Sequence, residues 1–442
     1  MTSNNKIEKF KKQFSSVKTI KFKRGKKMDK KLILQIQLLI KSLFQDGELD
    51  DLELLDNSKL HLVKDNILEI LETMIDKKGD KAILQEYEEC ILKYLKRSIQ
   101  VIPPIYQDDE ITKLENQIVG LKAIPQPEQR TPEWYTFRNN RLTASDLGTI
   151  LGVNPYEKYN KVIQKKCGIE TPFYMNENIR RGVKYEEVIT MIYQLRNNLI
   201  VYEYGCLPHP DIPHFGASPD GIVDTGSENR DYIGRMLEIK CPGSRDITGF
   251  CPEYYYAQVQ GQLEVCDLEL CDFVECIIKD YDSRLEYFDD FFLDEEGKCD
   301  YTYSKSGLEK GIVIEGYDSL KGKPVFWYAD LGINYEDSVL WETNIIDNEI
   351  IPYEHISYNK TTYWKATEYN ELLIKREKEW FHNHCIPKIN KFWEDVLHYR
   401  TKPTEEVMDL VKVNKRKTAP ENSLDNFIKT NTKESLFLSD SD

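Results

Sequence analysis

Asp220, in Ser218-Pro219-Asp220-Gly221, and the Glu-x-Lys of Leu237-Glu238-Ile239-Lys240 are the side chains whose types and spacing could do chemistry together. Two carboxylates offer oxygen ligands to Mg²⁺, a hard cation that keeps several waters and shares the rest of its shell with substrate phosphate. A lysine beside them can orient or deprotonate an attacking water and offset charge that builds on the phosphate. Metal-dependent phosphodiester hydrolysis needs these groups. Glu296-Gly297-Lys298 and Asp76-Lys77-Lys78 fit the bare pattern too, but neither lies on an apolar strand with an aspartate just upstream.

The elements that must position these groups are legible nearby. Phe215 to Ala217 leads into Pro219-Asp220-Gly221, after which Ile222 and Val223 resume an apolar run. Thr225-Gly226-Ser227-Glu228-Asn229 is a cluster of turn residues, and Met236, Leu237 and Ile239 mark the next strand. Side chains alternate along a strand, so Glu238 and Lys240 share a face. Two strands carrying Asp220 and the Glu238/Lys240 pair can converge on one metal. The plainer reading is a surface hairpin with solvated charges.

Three further clusters decide between these readings. Arg138-Asn139-Asn140-Arg141-Leu142-Thr143-Ala144-Ser145 follows Glu133-Trp134 and precedes a predicted helix. Gly182-Val183-Lys184-Tyr185-Glu186 begins a second helix, and Tyr256-Ala257-Gln258-Val259-Gln260 sits on a third. In this order, with SPDG and LEIK, the sequence over about residues 130–280 resembles the YqaJ-type viral recombinases, a family of PD-(D/E)XK nucleases found in phages and large DNA viruses.

The resemblance implies roles residue by residue. Asp220 and Glu238 are the expected metal ligands, with the Ile239 carbonyl as a third, and Lys240 is the expected catalytic lysine. Glu186 corresponds to a helix carboxylate that supports the metal, and Gln258 to a glutamine that positions water or scissile phosphate. Arg138 and Ser145 correspond to a pair that binds a 5′-phosphate, a role suited to a forked donor and a hydroxyl. Asp211 stands about where the family has a further acidic residue, with spacing that departs slightly from the pattern. Singly, each has a simpler account. Gln258 and Gln262 could mark the polar face of a helix, Glu186 could complement a helix dipole, Ser145 could be an N-cap, and Arg138 could be a surface arginine.

The resemblance further implies an α/β, restriction-endonuclease-like PD-(D/E)XK core, a mixed sheet flanked by helices. Its expected activity is Mg²⁺-dependent DNA hydrolysis, with Mn²⁺ as a substitute, exonucleolytic from 5′ double-stranded ends in recombination, repair or replication. A single-strand annealing protein is an expected partner. The alternatives are a structure-specific endonuclease or RNA-degrading nuclease on the same core, or an inactive DNA-binding scaffold. Complete Asp220, Glu238, Lys240 and Gln258 argue against the scaffold. There is no Gly-x-x-x-x-Gly-Lys-Ser/Thr phosphate-binding loop.

Composition sets the surroundings. The chain has 442 residues and a formal net charge of −15, awkward for a DNA-binding protein until its distribution is read. Residues 6–31 hold twelve Lys/Arg against Glu8 and Asp29, a local +10 that leaves −25 elsewhere. This basic segment is a candidate phosphate-binding tail, a solvated tail or a targeting signal. No run of about 20 apolar residues suggests a membrane span. The N-terminus is not a secretory signal. Ten scattered cysteines fit a reduced, intracellular protein, and the resemblance to viral proteins implies the host cytoplasm or nucleus. Cys266, Cys271 and Cys276 read as buried thiols at a helix end and on a strand.

The expected division is a basic flexible tail over 1–31, a helical accessory domain over 32–125, a nuclease domain over 126–400 and a disordered tail over 401–442. Within the nuclease domain, 281–400 is expected to supply strands that extend the sheet or form an insertion, then a helix over Glu368–His398 kinked at Pro387. In the tail, Leu424, Phe427 and Ile428 are spaced like the anchors of peptides that dock on sliding clamps. Glu421 and Ile428 depart from that pattern, and an unstructured segment with three incidental apolar residues is the plainer reading.

Overall fold

The computed structural model describes residues 106–416 except 128, 130, 170–176, 244 and 295, together with the isolated Leu68. The chain forms two compact units, 105–246 with 251–442, and 1–104 with 247–250; every element below belongs to the first. The basic tail, most of the accessory domain and the Leu424, Phe427, Ile428 segment lie outside the described residues.

The helices are α1 (Asp108–Ala123), α2 (Pro132–Asn139), α3 (Ala144–Ile150), α4 (Tyr159–Lys166), α5 (Glu177–Asn197), α6 (Glu253–Cys266), α7 (Arg284–Asp289) and α8 (Tyr335–Ile345), then α9 (Ile386–Arg400) and α10 (Thr404–Arg416). The strands are β1 (Leu142–Thr143), β2 (Val201–Tyr202), β3 (Leu207–Pro208), β4 (Phe215–Ala217), β5 (Gly221–Val223), β6 (Met236–Lys240), β7 (Leu270–Asp280), β8 (Phe292–Leu293), β9 (Cys299–Asp300), β10 (Lys310–Asp318), β11 (Lys323–Tyr328) and β12 (Ile356–Lys375).

A seven-stranded sheet runs β11-β10-β12-β7-β6-β5-β2. Its β6–β7 pair is parallel and its other pairs antiparallel, giving the expected mixed α/β core. Strand alternation sorts the packing. Leu237, Ile239, Val274, Cys276 and Ile278 pack with Tyr185, Val188, Ile189 and Ile192 of α5. Met236, Cys271 and Phe273 point the other way, into a core with Leu147 of α3, Val259 and Leu263 of α6 and Phe392 of α9. Glu238 and Lys240 occupy the α6 face by the same alternation. A three-stranded sheet, β1-β4-β3, stands beside this. Its parallel Leu142–Phe215 register brings the Arg138–Ser145 segment alongside the chain entering SPDG.

Four expectations need correction. Residues 368–375 are strand, not helix: β12 pairs with β7 over Trp364–Lys375, and the helical stretch begins only at Lys378. A π turn, Phe381–Cys385, precedes Ile386-Pro387, so the proline enters in the first turn of α9. Helix α1 is core rather than accessory, because Ile111, Ile118 and Leu121 join the α6-side cluster. Lastly, α10 continues the ordered chain past 401, with Val407 buried and the buried Gln164 amide donating to the Val407 and Met408 carbonyls, each at 2.9 Å. The expectation that strands follow the motif region is met, since β10 and β11 extend the sheet.

Candidate active site

The site forms where β5 stops pairing with β6. That pairing ends at Gly221–Leu237, so the Ile239 amide finds the Asp220 side chain instead, donating to Oδ2 at 2.7 Å. Gly221 is required there because a Cβ would collide with Val201 of the neighbouring strand. The glycine of SPDG therefore lets the chain pass β2 and deliver Asp220 to the end of β6.

Glu238 is fully buried. Its Oε1 accepts from Lys240 Nζ and from Gln258 Nε2 at 2.6 Å, and its Oε2 accepts from Gln262 Nε2 at 2.6 Å. Gln262 also donates to the Ser218 carbonyl at 3.3 Å. The two glutamines are one turn apart on α6, so a single helix face clamps both carboxylate oxygens. The helix polar-face reading of Gln258 and Gln262 thus resolves into contact with Glu238. Burial of Asp220, reinforced by the nearby Glu238 and Glu186 charges, pushes its carboxyl well above the usual range. Burial would make Lys240 less basic, but Glu238 and Asp220 outweigh it and raise its pKa, so the amine stays charged.

Glu186, Asp220, Ile239 and Lys240 line one cleft of about 530 Å³, with Tyr156, Arg245, Tyr254 and Tyr255 among its other walls. The residues fit a hard divalent cation by donor chemistry. Glu238 and Glu186 both repel the buried Asp220 carboxylate, and that repulsion is what a cation relieves. With Lys240 and the glutamines engaging Glu238, no three His, Cys, Asp or Glu side chains among the described residues close on one point as a finished ligand set.

Arg138 and Ser145 also meet. Arg138 donates to Ser145 Oγ at 3.1 Å and to Ser218 Oγ at 3.3 Å, with its guanidinium 4.2 Å from the Trp134 ring centre. Thr143, not Ser145, is the N-cap residue of α3. Beneath this pair Asp146 is buried against Lys166 at 3.1 Å and Lys165 at 3.2 Å. Burial would raise the Asp146 carboxyl, but Lys166, Lys165 and Arg138 outweigh it and hold it well below the usual range. Lys166 Nζ in turn donates to the Arg138 carbonyl at 3.0 Å.

Asp211 does not join the site, which corrects the expectation for it. It is exposed in the turn between β3 and β4, where its amide donates to His209 Nδ1 at 3.0 Å. The contacts of Gln262 and Ser218 were not anticipated. Neither was the Arg245–Glu275 ion pair, although a glutamate inside the apolar run of β7 was a usable signal. Cys266, Cys271 and Cys276 are buried as expected.

Asp220, Glu238 and Lys240 thus meet at the end of β6, in the mixed sheet flanked by helices that the sequence led one to expect. Residues 133–269 match the family described as a YqaJ-like viral recombinase domain. Protein R354 of Acanthamoeba polyphaga mimivirus is 33% identical over 324 residues, 67% of this chain and 57% of that protein. A protein of African swine fever virus (the Vero-adapted Badajoz strain) is 28% identical over 165 residues, 31% of this chain and 46% of that protein. The chain thus spans about half the length of the curated relatives it matches. Among solved structures, an alkaline exonuclease (LHK-Exo) from Laribacter hongkongensis aligns with 65% of this chain and 100% of its own, at 18% identity and a TM-score of 0.34. No helix among the described residues is long and apolar enough to cross a membrane.

Proposed function

We propose that this cleft hydrolyses DNA phosphodiesters with Mg²⁺, or Mn²⁺ in its place, and that the protein is a 5′-to-3′ exonuclease on double-stranded ends in viral recombination, repair or replication. The observation that carries the proposal is Glu238, buried and clamped by Lys240, Gln258 and Gln262 beside Asp220 and Glu186. Asp220, Glu238 and the Ile239 carbonyl would hold the cation, supported by Glu186. A divalent cation there supplies Lewis acidity to the phosphate and acidifies a water.

The chain's own groups do the rest. Lys240, kept charged by its carboxylate neighbours, donates to charge that develops on the phosphate. Gln258 fixes Glu238 and presents its remaining amide oxygen toward water or phosphate. Arg138, backed by Ser145 and Ser218, offers a planar fork to a 5′-phosphate. That pair favours exonuclease action at phosphorylated ends over the endonuclease and RNA-degrading readings, because the carboxylate–lysine core alone would act on any phosphodiester. Substrate DNA ends and an annealing partner belong to the same proposal.

Incubation of end-labelled linear, nicked and closed circular DNA, and of labelled RNA, with Mg²⁺ tests it. The expected result is nucleotide release from linear duplex ends while closed circles survive. Cleavage of closed circles, or degradation confined to RNA, would replace the exonuclease reading.

A further inference from the structure

Polar residues alternate along α6: Gln258, Gln260, Gln262 and Glu264, the last three buried. An α-helix turns once in about 3.6 residues, so Gln258 and Gln262 share one face while Gln260 and Glu264 share another across the axis. The first pair holds both oxygens of Glu238. The second pair has no place in the chemistry of the cleft, yet a buried amide and carboxylate are costly unless each is hydrogen-bonded.

Both are bonded, and to one short stretch where β12 gives way to the helical turns before α9. The Gln260 amide spans that junction, donating to the Lys375 carbonyl at 2.8 Å and accepting from the Glu377 amide at 2.7 Å. Between these, buried Arg376 donates from Nε and Nη2 to Glu264 Oε2 at 3.0 and 2.8 Å. Glu264 Oε1 meets His382 Nε2 at 2.8 Å, on the π turn whose Phe381 and Cys385 join the core. Arg376 is itself tied down, its amide donating to the Glu269 carbonyl at 2.9 Å and its Nη1 to Asp267 at 2.6 Å. On the α3 side Gly261 leaves no slack, since a Cβ there would lie 3.1 Å from Ala144 Cβ and Phe215 Cζ.

Apolar contact is non-directional, so core packing alone lets a buried helix turn or slide slightly at little cost. Directed bonds oppose such a shift, and a site needs its groups held to within about 0.5 Å. We propose that Gln260 and Glu264 are positioning residues for the metal site. Anchored to Lys375–Glu377 and His382, they set the rotation and height of α6 at which its other two glutamines hold Glu238 for a divalent cation. This rests on the reading of Glu238 as a metal ligand. The anchor lies beyond residues 133–269, so the matched region does not complete the site alone.

The test is Mn²⁺ binding to the full chain without DNA, followed by the EPR signal of free Mn²⁺ and counted at the site that Asp220→Asn abolishes. Gln260→Met and Glu264→Met keep side-chain length but lose the directed bonds, whereas Glu264→Gln keeps an acceptor for Arg376. Both Met variants are expected to bind about tenfold more weakly, as when a ligand loses its outer partners, and Glu264→Gln to bind like the wild type. Melting in EDTA separates this from a merely structural role, which would lower the melting temperature and leave the Mn²⁺ affinity of the folded protein unchanged. Arg376→Lys keeps the buried charge without the fork and carries the same expectation should a Met variant fail to fold. Wild-type Mn²⁺ affinity in the folded variants would overturn the positioning role, and in a protein that cuts DNA it would spare the nuclease reading. Tenfold weaker binding in a protein that cuts no DNA would support the positioning role and overturn the nuclease reading.

Discussion

At the scale of single residues, the carboxylates work against one another by design of the site. Asp220 sits with Glu238 and Glu186 and is strained electrostatically toward its neutral form. A group whose charge is unfavourable in the folded protein costs stability there, so its removal should not harm the fold. Asp220→Asn is therefore expected to lose about 10²–10³ in cleavage rate, the cost of one such group, while its melting temperature holds or rises. Lys240→Ala should lose activity similarly but melt lower, because it leaves buried Glu238 without its cation. Paired activity and calorimetric scans check both; an active Lys240→Ala would remove that lysine from the chemistry. Arg138 answers to a different assay. Duplexes with 5′-phosphate ends should be degraded faster than those with 5′-hydroxyl ends, and Arg138→Ala should shrink that ratio toward one. Equal losses on both substrates would make Arg138 a general backbone contact.

At the scale of elements, local pattern sufficed where an element's partners were near in sequence. The alternation of Leu237, Glu238, Ile239 and Lys240 with an adjacent hairpin partner gave β6 and its functional face. It failed for 368–375 because a bulge at Ala366/Glu368 breaks the alternation of β12, and its partner β7 lies far away in sequence. Asp211 failed for another reason. Motif spacing reports neighbours along the chain, while the β3–β4 turn is set by His209, whose Nδ1 accepts from the Asp211 and Ile212 amides at 3.0 and 3.1 Å. Burial lowers the pKa of His209 against the opposing pull of Glu264 and Asp211. The unfolded chain thus binds a proton near pH 6.5 that the folded turn resists. Stability should fall as pH drops below about 6.5, by at most about 1.4 kcal/mol per pH unit. His209→Asn keeps an acceptor for the turn without the titration. Its urea midpoint should gain on the wild type between pH 7.5 and 5.5, and parallel curves would show that His209 binds protons equally in both states.

At the scale of the whole molecule, the recognisable motifs do not make a self-sufficient body. Residues 133–269 contain the candidate site, but β7, which carries Glu275, is covered on one side by β12, and α4 packs against elements near the end of the described chain. Tyr159 donates to Asp395 at 2.9 Å, and Arg400 reaches the carbonyls of Lys166 at 2.8 Å and Asn139 at 2.9 Å. The backbone that presents Arg138 and Asp146 is thus held from α9. Helix α10 adds the next layer: Val407 is buried, Leu410 packs against the same core, and side chains on α4 hold its backbone, although the many charges of Thr404–Arg416 made it read as a tail. Asn160 donates to the Leu410 carbonyl at 2.9 Å, as buried Gln164 does to Val407 and Met408. Truncation after Arg400 strips Gln164 of both acceptors, which costs about 1–3 kcal/mol. It also forfeits the burial of Val407, about 1.5–3 kcal/mol. A chain ending after Arg400 should be roughly 3–5 kcal/mol less stable than one ending after Arg416. Matching midpoints for the two truncations would show that α10 contributes nothing to the hold on α4.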